Sequence, residues 1–227
     1  CDWSSDVCSS DLHYLDDKEF TAGIRKLSGE IMQDTCHILK EKYDIGANFC
    51  LVGSGARNLI TQNNNLPVDL DYNLEILRCE DLDDCRYLKE CVRKAFNFAL
   101  RKHTYRDCED STSSLTSKLI YFKPEDRFLF SIDICITARD RQGRLCRLIH
   151  RKTGFINTDE YYWNISKNSL NLDKKVRYIK SRGQWNMVRE QYLALKNMYL
   201  SKNDINHPSF ICYIEAVNNV YNSRYDW

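Results

Sequence analysis

Between Val68 and Leu74 apolar and polar residues alternate without a break, with Val68, Leu70, Tyr72 and Leu74 on one side and Asp69, Asp71 and Asn73 between them, followed by Glu75 and Ile76. A period of two predicts a strand with one buried and one polar face. Aspartate is depleted in strands, so two of them at strand spacing call for an explanation. Side chains two apart point the same way, which lets both carboxylates converge on one hard cation.

Just upstream stands Phe49-Cys50-Leu51-Val52-Gly53-Ser54-Gly55-Ala56-Arg57-Asn58, an apolar strand that ends in Gly-Ser-Gly and leads into a short helical segment. Gly53 and Gly55 let the backbone approach a phosphate, and the Ser54 hydroxyl with the neighbouring N–H groups can hold one. Arg57, one turn further on, is a candidate phosphate contact, with a surface role as its alternative. The cation would then be magnesium carried by a nucleoside triphosphate. A tight strand-to-helix turn followed by a wet edge strand is the other reading of these two segments.

A third carboxylate separates the two. In Arg127 to Ile136, Phe128, Phe130, Ile132, Ile134 and Ile136 share one strand face, and Asp133 interrupts the other between apolar neighbours. A charge in that setting is costly unless it is paired or metal-bound. Gly-Ser, Asp-x-Asp on the next strand and a lone Asp on a later one together resemble the polymerase-beta-like nucleotidyltransferases, over roughly Asn48 to Thr137. The resemblance implies an α+β fold, a nucleotidyltransferase-like mixed β-sheet with flanking helices and a carboxyl-terminal helical part. It also implies that Asp69 and Asp71 hold the metal of the triphosphate and share a second Mg2+ with Asp133, with Mn2+ as a substitute. Asp133 would serve as base for the attacking hydroxyl. Two departures bear on the phosphate contacts: Gln62-Asn63-Asn64-Asn65 lengthens the linker, and Asn58-Leu59 stands where many members carry a second Gly-Thr or Gly-Ser.

Composition excludes little. The 227 residues suffice for one large domain or a compact domain with an appended helical part, and 43% hydrophobic content is enough for a core. A net charge of +1 argues against a generally basic nucleic-acid binder, and no apolar run is long enough to span a bilayer. The 11 cysteines are scattered with no Cys-x-x-Cys, so they read as reduced thiols in a cytoplasmic protein, with Cys50, Cys135 and Cys212 as small hydrophobes. Residues 1–12 read like a translated sequencing adaptor and are set apart from the functional argument.

The rest divides into a core, 13–170, and a helical part, 171–227. Phe20, Ile24, Leu27, Ile31 and Ile38 predict a helix over 16–43, capped by Asp16 or Asp17 and stopped at Gly46. A second helix, Leu82 to His103, buries Leu88, Val92, Ala95 and Ala99 and turns Lys89, Arg93, Lys94, Arg101 and Lys102 to solvent. Asp107 to Ser117 reads as a loop, Leu119 to Phe122 as a strand joined to that of Asp133 by the turn Lys123-Pro124-Glu125-Asp126, and Arg144 to His150 as a further strand. Downstream, Asp173 to Arg182, then Trp185, Val188, Tyr192, Leu195 and Tyr199, then Pro208 with Phe210, Ile214, Val217 and Tyr221 give three helices.

In the helical part Lys174, Lys175, Arg177, Lys180 and Arg182 crowd one short helix, where Lys174 and Lys175 are candidate triphosphate ligands and a solvated basic face is the alternative. Tyr221 and Tyr225 near the carboxyl terminus are candidate acceptors for protein-primed synthesis. The layout is similar to bacterial defence nucleotidyltransferases that make cyclic or linear oligonucleotide signals. That implies ATP or another nucleoside triphosphate as substrate, a hydroxyl on a nucleotide, nucleic acid or protein as acceptor, a downstream effector protein as partner, and no membrane. Toxin-type transfer to tRNA or protein, and an inactive nucleotide-binding module, are the alternatives.

Overall fold

The computed structural model describes residues 12–15, 17–63, 67–121, 129–166, 171–204 and 207–223. In chain order the elements are β1 (Leu12–Tyr14), α1 (Lys18–Tyr43), β2 (Gly46–Leu51), α2 (Gly53–Arg57), β3 (Thr61–Asn63), β4 (Val68–Arg78) and α3 (Cys85–Lys102). There follow β5 (Glu109–Asp110), β6 (Leu115–Thr116), β7 (Ile120–Tyr121), β8 (Leu129–Arg139), β9 (Leu145–Arg151) and β10 (Glu160–Ile165). Three helices complete the described chain: α4 (Leu172–Ser181), α5 (Trp185–Ser201) and α6 (Ser209–Asn222). The elements fall into two compact units, one of residues 16–58 and 67–167, the other of residues 1–15, 59–66 and 168–227.

The first unit is a mixed sheet with the spatial order β10-β9-β8-β4-β2. The pairing of β4 with β8 is parallel, and β2–β4, β8–β9 and β9–β10 are antiparallel. The predicted alternation of β4 is realised: Val68, Leu70, Tyr72, Leu74 and Ile76 are buried, Asp69 is exposed, and Asp71, Asn73 and Glu75 are half-buried. Its apolar face is covered by helix; the Ser28 and Tyr72 hydroxyls, 2.7 Å apart, tie α1 to the strand. Ile24, Ile31, Met32 and Leu39 of α1 and Leu88, Val92, Phe96 and Leu100 of α3 are removed from solvent, each worth about 1.5–3 kcal/mol in transfer free energy.

Helix α1 is capped by Asp17, whose Oδ1 accepts the Phe20 N–H at 2.8 Å. Asp16, the other expected cap, lies outside the described residues. The helix stops at Asp44, which takes the left-handed conformation with φ 50°, and not at Gly46, which already belongs to β2. Within 107–117, expected as a loop, Glu109–Asp110 and Leu115–Thr116 form the short paired strands β5 and β6, because backbone groups laid over the sheet must find partners there. Strand β10 was not foreseen, and Cys50 is exposed because β2 ends the sheet. Lys89, expected in solvent, is 3% exposed and paired with Asp110 at 2.6 Å.

The second unit buries Leu59, Ile179, Val188, Tyr192, Ala216 and Val217 in one cluster. It also takes in β1 and β3, which pair with each other, so the sheet unit does not run unbroken through the 13–170 span expected of the core. Leu12, at the end of the stretch set apart as adaptor-like, is part of this ladder; its N–H donates to Asn197 Oδ1 at 2.9 Å and its carbonyl accepts from Asn197 Nδ2 at 3.1 Å. Residues 1–11, the turn Lys123 to Asp126, Phe128 and Tyr225 lie outside the described residues. No helix among the described residues is long and apolar enough to cross a membrane.

Candidate active site

The parallel register of β4 and β8 sets Asp69 opposite Ser131 and Asp71 opposite Asp133. Residues in register on paired strands project from one face. The three carboxylates therefore share the polar side of two adjacent strands, with Asp71 and Asp133 half-buried. Burial, then the charges of Asp133 and Asp69, push the Asp71 carboxyl up to about 6, with Arg147 and Arg57 pulling it down. Asp133 is also raised, by burial first and by Asp69, against a hydrogen bond from the Thr116 side chain.

The Gly-Ser-Gly turn abuts this face. The Val52 N–H donates to the Asp71 carbonyl at 2.8 Å, and Gly53 follows with φ +62°. A Cβ built on Gly53 would lie 2.2 Å from Asp71 Oδ2, so only glycine meets both the backbone conformation and the close approach. Arg57 Nη1 donates back to the Gly53 carbonyl at 2.7 Å, and Arg25 Nη2 donates to the Gly55 carbonyl at 2.6 Å and to Asn58 Oδ1 at 2.9 Å. Helix α2 is five residues long, so its dipole adds little, and any phosphate contact would come from its backbone N–H groups and from Arg57.

Hard carboxylate oxygens suit Mg2+ or Mn2+. Asp133 Oδ1 is buried and has no hydrogen-bond partner among the described residues, and the mutual repulsion that raises Asp71 is what a cation would relieve. These observations fit a metal. The side chains do not already enclose one: among the described residues no three His, Cys, Asp or Glu side chains are gathered closely enough to hold an ion. One oxygen of Asp69 is engaged by the Ser131 hydroxyl, which donates to Oδ1.

No family model and no curated relative matches the chain. Solved structures do. The Vibrio cholerae DncV cyclic AMP-GMP synthase, in complex with the linear intermediate 5′ pppA(3′,5′)pG, matches with a TM-score of 0.55 and 11% identity over 79% of this chain. The E. coli MS115-1 CdnC with ATP matches with a TM-score of 0.53 and 16% identity over 93% of it. The chain has a nucleotidyltransferase fold. A second structure of the Vibrio cholerae di-nucleotide cyclase, with ATP and GTP among its ligands, matches with a TM-score of 0.56 and 11% identity over 82% of this chain. This chain spans 60–63% of the length of these three.

Within the nucleotidyltransferase fold, Gly53, Ser54, Gly55, Arg57, Asp69, Asp71 and Asp133 all lie in the sheet unit, on or beside β4 and β8. Lys174 and Lys175 lie on α4 in the helical unit, where Lys175 Nζ donates to Asn218 Oδ1 at 2.7 Å and stands 5.3 Å from the Tyr221 ring centroid. Tyr221 itself packs edge-on against Tyr178. Three side chains at the site were missed in the sequence: Ser131, Thr116 and Arg147. Ser131 stands two residues before Asp133 on the same strand face, so period two pointed to it. Thr116 and Arg147 reach the site through the pairings of β6 and β9 with β8, which no local pattern encodes.

Proposed function

We propose that the chain transfers a nucleoside monophosphate from a nucleoside triphosphate to a hydroxyl, with Asp69, Asp71 and Asp133 as its acidic centre. The observation that carries the reading is the register of Asp71 with Asp133 beside Gly53. In this reaction the acceptor oxygen bonds to the α-phosphorus, the bridge between α- and β-phosphates breaks, and pyrophosphate leaves with the electron pair. The hydroxyl proton would pass to the Asp133 carboxylate, which stands in register with Asp71 on the neighbouring strand. Two divalent ions, Mg2+ or Mn2+, held by the three carboxylates would supply charge neutralisation on the triphosphate and acidify the acceptor hydroxyl. Gly53, Ser54, Gly55 and Arg57 would position the phosphates, so most of the acceleration would come from orientation and charge.

The solved structures of this fold support a nucleoside triphosphate substrate, since those matched hold ATP, ATP with GTP, or a linear dinucleotide intermediate. By the same likeness we take the product to be a linear or cyclic oligonucleotide, serving as a defence signal read by an effector protein. The test is to incubate the protein with each α-labelled ribo- and deoxyribonucleoside triphosphate and Mg2+ or Mn2+, and to follow the label. Label in free oligonucleotide is the expected result. Label in RNA would assign a tRNA-type acceptor, label on the protein would assign priming at Tyr221 or Tyr225, and label in no product would contradict transfer.

A further inference from the structure

The segment from Cys108 to Ser117 lies against the sheet as a small arm fixed at both ends. At one end the Cys108 N–H donates to Asn97 Oδ1 at 2.8 Å, and Lys89 Nζ donates to the Ser111 carbonyl at 2.7 Å while pairing with Asp110. His150 bridges two carboxylates, with Nδ1 2.9 Å from Asp110 Oδ2 and Nε2 2.8 Å from Asp159 Oδ2, and its own N–H donates to the Thr112 carbonyl. At the other end Thr116 stands opposite Asp133 in the register of β6 with β8. Ser117 locks the register by donating its N–H to the Ile132 carbonyl and accepting the Ile132 N–H at Oγ, both at 2.9 Å.

A lysine and a histidine only 3% and 4% exposed are costly unless every charge is met. The cluster lines a cleft of about 840 Å3. Within it Lys89 pairs with Asp110, and the two ring nitrogens of His150 face Asp110 and Asp159, which makes it an anchor. What the anchor holds is the arm, and the arm sets one hydroxyl-bearing residue, Thr116, opposite one carboxylate, Asp133.

We propose that the arm is a positioning device for Asp133: Thr116 fixes the carboxylate and the Lys89–Asp110–His150–Asp159 cluster keeps Thr116 in place. The inference rests on the nucleotide-transfer reading and names a control element of the same site. Thr116 and His150 are positioning residues, since they act through Asp133.

The experiment compares Thr116→Val, Thr116→Ser, His150→Gln and the double variant Thr116→Val/His150→Gln. Label transfer, Mn2+ binding by calorimetry without nucleotide, and amide hydrogen exchange are followed in each. Thr116→Val, near-isosteric but without the hydroxyl, is expected to lose about 10–100-fold in kcat and in Mn2+ affinity, with KM for the triphosphate little changed. Thr116→Ser keeps the hydroxyl and is expected to restore both. His150→Gln cannot bridge two carboxylates; it should speed exchange at Ser117 and Ile132 and lower kcat. The double variant should be no worse than the poorer single one, because both act along one path. If Thr116→Val does not fold, Thr116→Ala replaces it in the same comparison. A Thr116→Val protein with wild-type kcat and Mn2+ affinity, or additive losses in the double variant, overturns the inference and leaves the transfer reading standing. A folded wild-type protein with neither label transfer nor Mn2+ binding removes both.

Discussion

Asp71 Oδ2 lies 2.2 Å from the point where a Cβ on Gly53 would be. The turn that faces the phosphates in our account and the carboxylate at its acidic centre are thus one packed unit, and neither can be altered without moving the other. Gly53 also holds φ +62°, which costs an L-residue roughly 1–2 kcal/mol.

Gly53→Ala therefore carries two penalties, a left-handed backbone and a displaced Asp71. We expect a destabilisation of about 1–3 kcal/mol by urea unfolding and a loss of label transfer of at least about tenfold. Gly55→Ala is the control. Its Cβ would meet only the methyl groups of Leu51 and Leu70 at 3.2 Å, so both effects should be smaller.

Asp71→Asn should uncouple stability from activity. The folded-state pKa of about 6 lies above the ordinary 3.8, so the folded protein holds this proton more tightly than the unfolded chain. The stabilisation that gives is complete below pH 3.8 and is lost as pH rises through 6. Above pH 6 the wild type carries an ionised, repelled carboxylate, and the asparagine variant should be more stable by about 1–3 kcal/mol, the lower end reflecting partial exposure. The gain should vanish near pH 4, and label transfer should be lost at every pH. Thermal melts of metal-free protein from pH 4 to 8 check the sign, and a gain that grew toward low pH would contradict it.

Lys89→Met removes one partner of the Lys89–Asp110 pair, leaving Asp110 with His150 alone and the Ser111 carbonyl without its donor. Because Asp110 keeps some access to water, the cost should be about 2–4 kcal/mol, below that of a fully buried pair. Urea unfolding of this variant beside Lys94→Met, whose 3.7 Å pair with Glu90 is exposed and should be nearly neutral, makes the comparison.

The contrast between these lysines shows what was legible in the sequence. Both stand on α3 among helical polar positions, and periodicity alone assigns both to solvent; Lys89 is buried because β5 brings Asp110 over it. Local patterns were enough wherever an element's own period decided its faces, as in β4, β8 and the stripes of α1 and α5; in α6 the expected stripe is offset, since Phe210 is exposed while Cys212, Tyr213, Ala216, Val217 and Val220 are buried. They also singled out Asp69, Asp71 and Asp133, because a carboxylate at a strand position is an anomaly by itself, and the register of β4 with β8 sets the three on one face. They failed where partners come from pairing register: Thr116 and Arg147 around the aspartates, and the bridge from Asp110 through His150 to Asp159. Strand β10 escaped because Tyr161, Tyr162 and Trp163 run together, which hides the alternation of its two faces.

The central claim is that carboxylates from two neighbouring strands act on one metal centre. The most direct test is a crystal structure of the protein grown with Mn2+ and a non-hydrolysable ATP analogue, read in the anomalous difference map. Our account predicts manganese peaks bounded by Asp69, Asp71 and Asp133, with the triphosphate beside Gly53 and Ser54. Bound nucleotide with manganese elsewhere, or with Asp133 turned away from the ion held by Asp71, would contradict it.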